Sequence, residues 1–479
     1  MNKHVSTQTD PISYLFPFTE RVDSPIPIMM KTVQEWRAEK KTSSEENWLR
    51  LQGKRIEANS YFYIPTPEGQ VEKVIVVWDP QSPDPRMWLW LAARLGQELP
   101  PGSYRLADHP RLDAGRREQF YLGWGLSAYQ FRKYLKVDEK PKPCLVVPRE
   151  ARALTEDLLS AIFMTRDLIN TPALDMGPED LAGVAQRLAL AYGASYSLLQ
   201  GEALLEANYP AVFHVGRGSE RAPALVDLQW GNEHHPLICL VGKGVTFDSG
   251  GLNLKPERGM LLMKKDMGGA AIVLGLAHLI MARKLPVRLR VLIPAVENMV
   301  SGNSLRPGDI IPTRKGLSVE ITNTDAEGRL ILCDALAEAV TDNPDLIIDV
   351  ATLTGACRVA LGEDLPGFFT KSDELAEQLL RASQAAADPI WRLPLWASYR
   401  PALQSLVADL NNSPASGFAG AIHAALFLSE FLGDFKNWVH LDAYAWIGEG
   451  KPGFPVGGEA TAMRALLAFL EERYPVLGS

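Results

Sequence analysis

The chain has 479 residues, 46% of them apolar and 22% charged, with a formal net charge of -8. That length exceeds what one hydrophobic core organises, so two domains or three are expected. The composition is that of an ordinary globular protein, and the acidic balance counts against general binding to a phosphate backbone.

The opening stretch MNKHVSTQTDPISYLFPF lacks the basic start and continuous apolar core of a signal peptide. A strand pattern, VEKVIVVW, is followed by two helix patterns, MWLWLAARLGQEL and RREQFYLGWGLSAYQFRKYL. This mixture predicts a small α/β domain over residues 1–150, with its tryptophans in the core. The charged, proline-bearing KVDEKPKP, Lys136–Pro143, reads as an exposed linker.

From 151 to 479 the pattern becomes regular. Strands are expected at 236–241, 287–296, 318–322 and 345–353, and helices at 268–284 and 328–340. The helix at 268–284 carries the longest apolar run, which includes His278, is short for a membrane span and reads as buried. Continuous apolar strands alternating with helices predict a mainly parallel, helix-flanked sheet. Ligands of such sheets sit beyond the carboxyl ends of the strands. Cys144, Cys239, Cys333 and Cys357 are scattered without CxxC spacing, which points to buried thiols in a reducing compartment.

Three polar segments fall where that rule places a site. VGKGVTFDSGGLNLKP offers Lys243, Asp248 and Lys255 among glycines. It is not a P-loop, because Lys243 stands between two glycines and no GxxxxGK[ST] is present. MKKDMGGAA puts Asp266 at the mouth of a helix, where a cap alone would explain it. SVEITNTDAEGRL runs into Asp325, Glu327 and Arg329. Acids two residues apart in extended chain lie roughly 6–7 Å from each other on one side, and they repel unless a positive charge intervenes. Two readings account for the group. The lysines and arginine neutralise the acids in an ion-pair network, or the acids bind hard divalent ions such as Mg, Mn or Zn. Four carboxylates balance two dications, and a lysine then free to lose its proton can ligate through its amine. Two ions about 3.5–4 Å apart form a hydrolytic centre.

The motifs VGKGVTFDSGG, NTDAEGRL and DVATLTGA resemble the signatures of the leucine (cytosol) aminopeptidases. The likeness continues through RDLINTPA, WRLPLW, VADLNN, AGAIHAALFL and HLD, and so covers about 150 to the C-terminus. It implies a two-metal aminopeptidase acting on peptides, with Mn or Zn as the ions and Mg or Co as further candidates. Lys243, Asp248, Asp266, Asp325 and Glu327 match its metal ligands. Asp248 and Glu327 would bridge both ions, Lys243 and Asp266 would serve the more exchangeable one, and Asp325 the other. Lys255 would stabilise the oxyanion, and Arg329 would hold a bicarbonate that acts as general base. Met263, Thr352 and Gly355 match the lining of the first-residue pocket, with a leucine-like preference as the default. The resemblance also implies a homo-oligomer, typically a hexamer, in the cytoplasm. Two departures touch that pocket. The run after HLD is shorter than usual, and Thr461-Ala462-Met463 replaces a glycine turn.

The remaining histidines and glycines take plainer roles. His423 reads as packing or interface, His440 as local ordering, His234-His235 as an exposed turn, and GEGKPGFPVGG (448–458) as a mobile surface loop. Two other functions are weighed against the peptidase. One is regulatory nucleic-acid binding, which the acidity disfavours and a gel shift would test. The other is a non-catalytic scaffold, which metal analysis would test.

Overall fold

The computed structural model describes residues 14–53, 57–82, 84–136 and 141–476. They form two compact units, Tyr14–Ser160 with Glu449–Pro455, and Ala161–Gly448 with the C-terminal segment from Val456.

The first unit is built on a six-stranded sheet. Its strands are β1 (Phe18–Thr19), β2 (Ile26–Thr32), β3 (Ser60–Pro65), β4 (Val71–Trp78), β5 (Ser103–Leu106) and β6 (Cys144–Val146), in the order β1-β6-β5-β2-β4-β3. Only the edge pair β3/β4 is antiparallel. Helices Met87–Glu98 and Ala114–Leu126 pack closely: a Cβ on Gly123 would lie 2.3 Å from the carbonyl oxygen of Leu89. The second helix is shorter than the expected 116–135. Ser127 turns its hydroxyl back onto the carbonyl of Trp124 at 2.6 Å and caps it there. In the stretch Lys136–Pro143, residues 137–140 lie outside the described part of the chain, as does most of the opening stretch. Because β6 follows that stretch and pairs with β5 and β1, the composition break falls within the first unit.

The second unit carries the expected parallel sheet. Its strands are β7 (Ser195–Gln200), β8 (Ala224–Trp230), β9 (Leu237–Gly242), β10 (Gly244–Asp248), β11 (Arg288–Asn298), β12 (Ile310–Pro312), β13 (Ser318–Glu320), β14 (Leu346–Ala351), β15 (Gly367–Phe369), β16 (Trp391–Arg392), β17 (Leu410–Asn411) and β18 (Trp438–Asp442). The main sheet runs β16-β15-β18-β14-β9-β11-β8-β7, with β10 also paired to β11. The centre, β18-β14-β9-β11, is parallel; β8, β7 and β15 join antiparallel.

Residues of β9 and β14 are buried throughout, as strands covered on both faces must be. Helix Gly268–Ala282 is buried from Gly268 to Met281. By length and composition the helical run 257–282 would also suit a membrane, but it belongs to the interior of this unit. It seats directly on the strand backbones, since a Cβ on Gly269 would come within 2.1 Å of the Val350 carbonyl oxygen.

Two expectations are corrected. The strand at 318–322 is only three residues long and leaves the main sheet for a small one, β12-β13-β17. The glycine-rich 448–458 is not a loose surface loop. Its first part belongs to the first unit, and Gly457 and Gly458 form a buried strand, β20, paired with β19 (Trp446–Ile447). Gly458 has no room for a side chain, with Ile169 Cβ 2.6 Å from where its own would sit.

Candidate active site

The ends of the parallel strands deliver the polar residues. Lys243 follows β9 and Asp248 closes β10. Gly250 and Gly251, with φ of 87° and 64°, then turn the chain so that Lys255 folds back toward Asp248. Asp266 stands just ahead of helix Gly268–Ala282, Thr352 just after β14, and Glu327 at the start of helix Gly328–Ala339.

With β13 gone to another sheet, side chains tie the Asn323–Glu327 turn to the sheet end. Asn253 Oδ1 accepts from the Thr324 N–H at 2.8 Å, and the Asn253 N–H donates to the Thr324 hydroxyl at 2.8 Å. Gly328 leaves space for Lys243, whose Cε lies 2.5 Å from where a Cβ would sit. The ten expected site residues, Lys243, Asp248, Lys255, Met263, Asp266, Asp325, Glu327, Arg329, Thr352 and Gly355, all line one cavity.

Charges are crowded there. Lys243 Nζ is 2.8 Å from Asp266 Oδ2 and 3.0 Å from Glu327 Oε1, and its directed hydrogen bond goes to the Thr352 carbonyl at 3.0 Å. Lys255 Nζ is 2.7 Å from Asp248 Oδ2 and 2.5 Å from Asp325 Oδ1. Burial alone would depress both lysines; the surrounding carboxylates override it and hold both above the usual lysine range. Burial, together with like-charged neighbours, pushes the Asp248 carboxyl up to about 6 and Glu327 up to about 8. Two ammonium groups therefore do not satisfy four acids. Glu327 Oε2 is buried without a hydrogen-bond partner, and Asp266 Oδ2 makes no aligned hydrogen bond despite its short distance to Lys243. Oxygens of Asp248, Asp325 and Glu327 lie within 4.8 Å of one another. Orphaned, mutually close carboxylate oxygens fit hard divalent cations.

Arg329 is buried at the cavity wall, and burial pushes its guanidinium down to about 10. One nitrogen, Nη1, donates to the Asn412 carbonyl at 2.7 Å, whereas its Nε has no partner, which leaves a donor free for an anion.

Hydrogen bonds from neighbouring side chains hold two of the acids, and Asn298 among these neighbours carries no sequence signal of its own. Asn298, at the end of β11, donates to Asp248 Oδ1 at 2.8 Å, and Thr352 donates to Asp266 Oδ1 at 2.8 Å. Lys265, Arg358 and Tyr444 also line the cavity. Among the histidines, His440 is buried against Asp349 at 2.6 Å and stacked on Phe369 and Trp438, and His423 is buried beside Tyr399; neither lines the cavity. His234 and His235 are exposed.

Comparison with known proteins agrees with this geometry. The model described as "Cytosol aminopeptidase family, catalytic domain" matches residues 163–467, and "M17 aminopeptidase, N-terminal domain" matches 24–148. The chain is 40% identical over 366 residues to a probable cytosol aminopeptidase of Roseiflexus castenholzii, covering 72% of this chain and 74% of that protein. It is 46% identical over 308 residues to peptidase B of Yersinia pestis, covering 62% and 71%. The solved cytosol aminopeptidase of Coxiella burnetii superposes with a TM-score of 0.90 at 45% identity, covering 95% of this chain and 98% of that one. The bottromycin maturation enzyme BotP in complex with Mn gives 0.84 at 33% identity, covering 94% and 100%.

Proposed function

The chain belongs to the cytosol aminopeptidase family of metallo-exopeptidase hydrolases, and from that premise we propose that it removes the first residue of peptides at a two-metal centre. Lys243, Asp248, Asp266, Asp325 and Glu327 would hold the ions. The observation that carries this is the buried, unpartnered oxygen of Glu327 amid carboxylates that two lysines leave unsatisfied. Manganese is the first choice because the neighbour BotP was solved with it; zinc, magnesium and cobalt are the other candidates. Bound there, two dications supply Lewis acidity and bring the pKa of a water down to about 7.

The chain's own residues then do the following. Lys255, at the cavity wall, donates to the carbonyl oxygen as negative charge gathers on it. Arg329 presents its free Nε to a small anion, bicarbonate being the candidate, which takes up the proton of the attacking water. Asn298 and Thr352 hold Asp248 and Asp266 in orientation, as supports of ligands generally do. By family likeness, a free α-amine would be held at this centre, which would restrict cleavage to the first residue. Met263, Thr352 and Gly355 form part of the side-chain chamber; on resemblance alone, its preference is for a bulky apolar residue.

A homo-oligomer, a hexamer by family likeness, and a cytoplasmic site belong to the same reading. Light scattering and fractionation test them. For the chemistry, a panel of aminoacyl-anilides is assayed on the purified protein before chelation, after it, and after adding back Mn or Zn. Loss and recovery of hydrolysis are expected. Full activity in chelator would rule out the metal mechanism, and metal-free protein that no ion activates would favour the scaffold.

A further inference from the structure

Asn412 follows β17 directly and is fully buried, yet it does not line the cavity. Its side chain spans the turn that carries Asp325 and leads into Glu327. Oδ1 accepts from the Thr322 and Asn323 N–H groups at 2.8 and 3.2 Å and from the Thr322 hydroxyl at 3.2 Å. Nδ2 donates to the Asn323 carbonyl at 2.7 Å and to the Ala326 carbonyl at 3.3 Å. The amide thus spends both its donors and its acceptor on the stretch 322–326. The backbone carbonyl of the same residue accepts from Arg329 Nη1 at 2.7 Å.

That turn is under load. Oxygens of Asp325 and Glu327 lie close to those of Asp248, and like charges push the three apart. Because β13 pairs with β12 and β17, the ladder of the main sheet does not fix the turn. Asn253 fastens it at Thr324. Asn412 fastens it at both ends, Thr322–Asn323 and Ala326, and grips Arg329 as well. A buried partner left unmade is unfavourable, so the network favours one position of the turn. The neighbouring Asn411 offers a contrast. It too is buried, but its Nδ2 donates to the Ala402 and Gln404 carbonyls at 3.0 and 2.9 Å, within its own segment.

We propose that Asn412 is a positioning residue that sets Asp325 and Glu327 at the spacing the metal ions need and aims Arg329 in the same stroke. This rests on the aminopeptidase reading above. An aspartate at 412 keeps the shape but turns a donor into an acceptor. It would face the Asn323 and Ala326 carbonyls and add a negative charge beside the acids.

The test titrates Mn into the chelated full-length protein and, separately, measures hydrolysis of an aminoacyl-anilide by the loaded protein. Residues that support metal ligands typically contribute about 10–100-fold in affinity or activity. In Asn412→Asp and Asn412→Ser, Mn binding is expected to weaken by that order. The kcat of the loaded variants should fall likewise, with KM near the parent's, because Asn412 does not touch the chamber. Asn411→Ser is the control: its urea midpoint drops, while Mn affinity and kcat hold. Thr322→Val, on an exposed part of the turn where folding is not at stake, removes one of the bonds and should move both readouts the same way by less. Asn412→Ser that binds Mn and turns over like the parent overturns the proposal, as do equal losses in Asn411→Ser. Should neither Asn412 variant fold, unchanged readouts in Thr322→Val overturn it. Parent protein that binds Mn but hydrolyses no anilide sinks the aminopeptidase reading, while the Mn titrations still judge Asn412. Parent protein that binds no Mn sinks both.

Discussion

At the residue scale, Glu327 and Asp248 are the decisive positions. Each is buried beside the other acids, and each would be shared by two ions. Glu327→Ala and Asp248→Ala are expected to reduce hydrolysis to background and to lower bound metal, as elemental analysis of the variants would show. Lys255→Ala should behave differently. Loss of one oxyanion donor typically lowers kcat by about 10²–10³-fold, and metal content should stay near normal. If that variant came off the column metal-free, Lys255 would be a ligand and its assignment wrong.

His278 bears on stability instead. It is buried on the core helix with Tyr192 at 3.0 Å, and burial pushes it down to about 4. The unfolded chain takes up its proton first, near pH 6.5, so the folded state resists protonation between about 6.5 and 4. Stability from the neutral ring is therefore full above pH 6.5 and lost as pH falls toward 4, up to about 3 kcal/mol. His278→Gln should be less stable than the parent at pH 7, with the gap narrowing by pH 4.5 in urea midpoints. A constant gap would contradict this.

Elements show where local pattern and tertiary packing part. The buried β9, β14, apolar but for Asp349, and the helix at 268–282, apolar but for His278, declare themselves, because burial on all sides leaves no polar periodicity to misread. The strand at 318–322 was legible as a strand but not as a member of a separate sheet. Its alternating pattern is the same whichever partner it takes, and only pairing with β12 and β17 decides. The helix from Ala114 stops at Leu126 although apolar residues continue beyond it, because the Ser127 cap competes with propagation. At the contact between helix and sheet, Gly269→Ala is expected to destabilise by about 1–3 kcal/mol through overpacking against Val350. Chemical denaturation measures it. Gly302→Ala, with open space around its Cβ position, serves as the control near zero.

For the molecule as a whole, ion binding and folding are linked. Ions that neutralise carboxylates buried without enough cations favour the folded state. Added Mn or Zn should raise the melting temperature of the chelated protein. The increase should vanish in Glu327→Ala, which scanning calorimetry would detect; an equal increase in that variant would place the ions elsewhere.

The sequence by itself determined the family, the parallel α/β design of the larger domain, and the residues gathered at the site. Segments such as GKGVTFDSGG and NTDAEGRL can be read locally, since glycine, carboxylate and lysine at those spacings have few other uses. Only the tertiary structure decided which groups meet. Lys265, Arg358 and Tyr444 carry no signal of their own in the sequence. Their convergence on one ring follows from how β14, β18 and helix Gly355–Leu361 stack in space. Charge balance is a property of three-dimensional neighbours, and residues far apart along the chain do not reveal it.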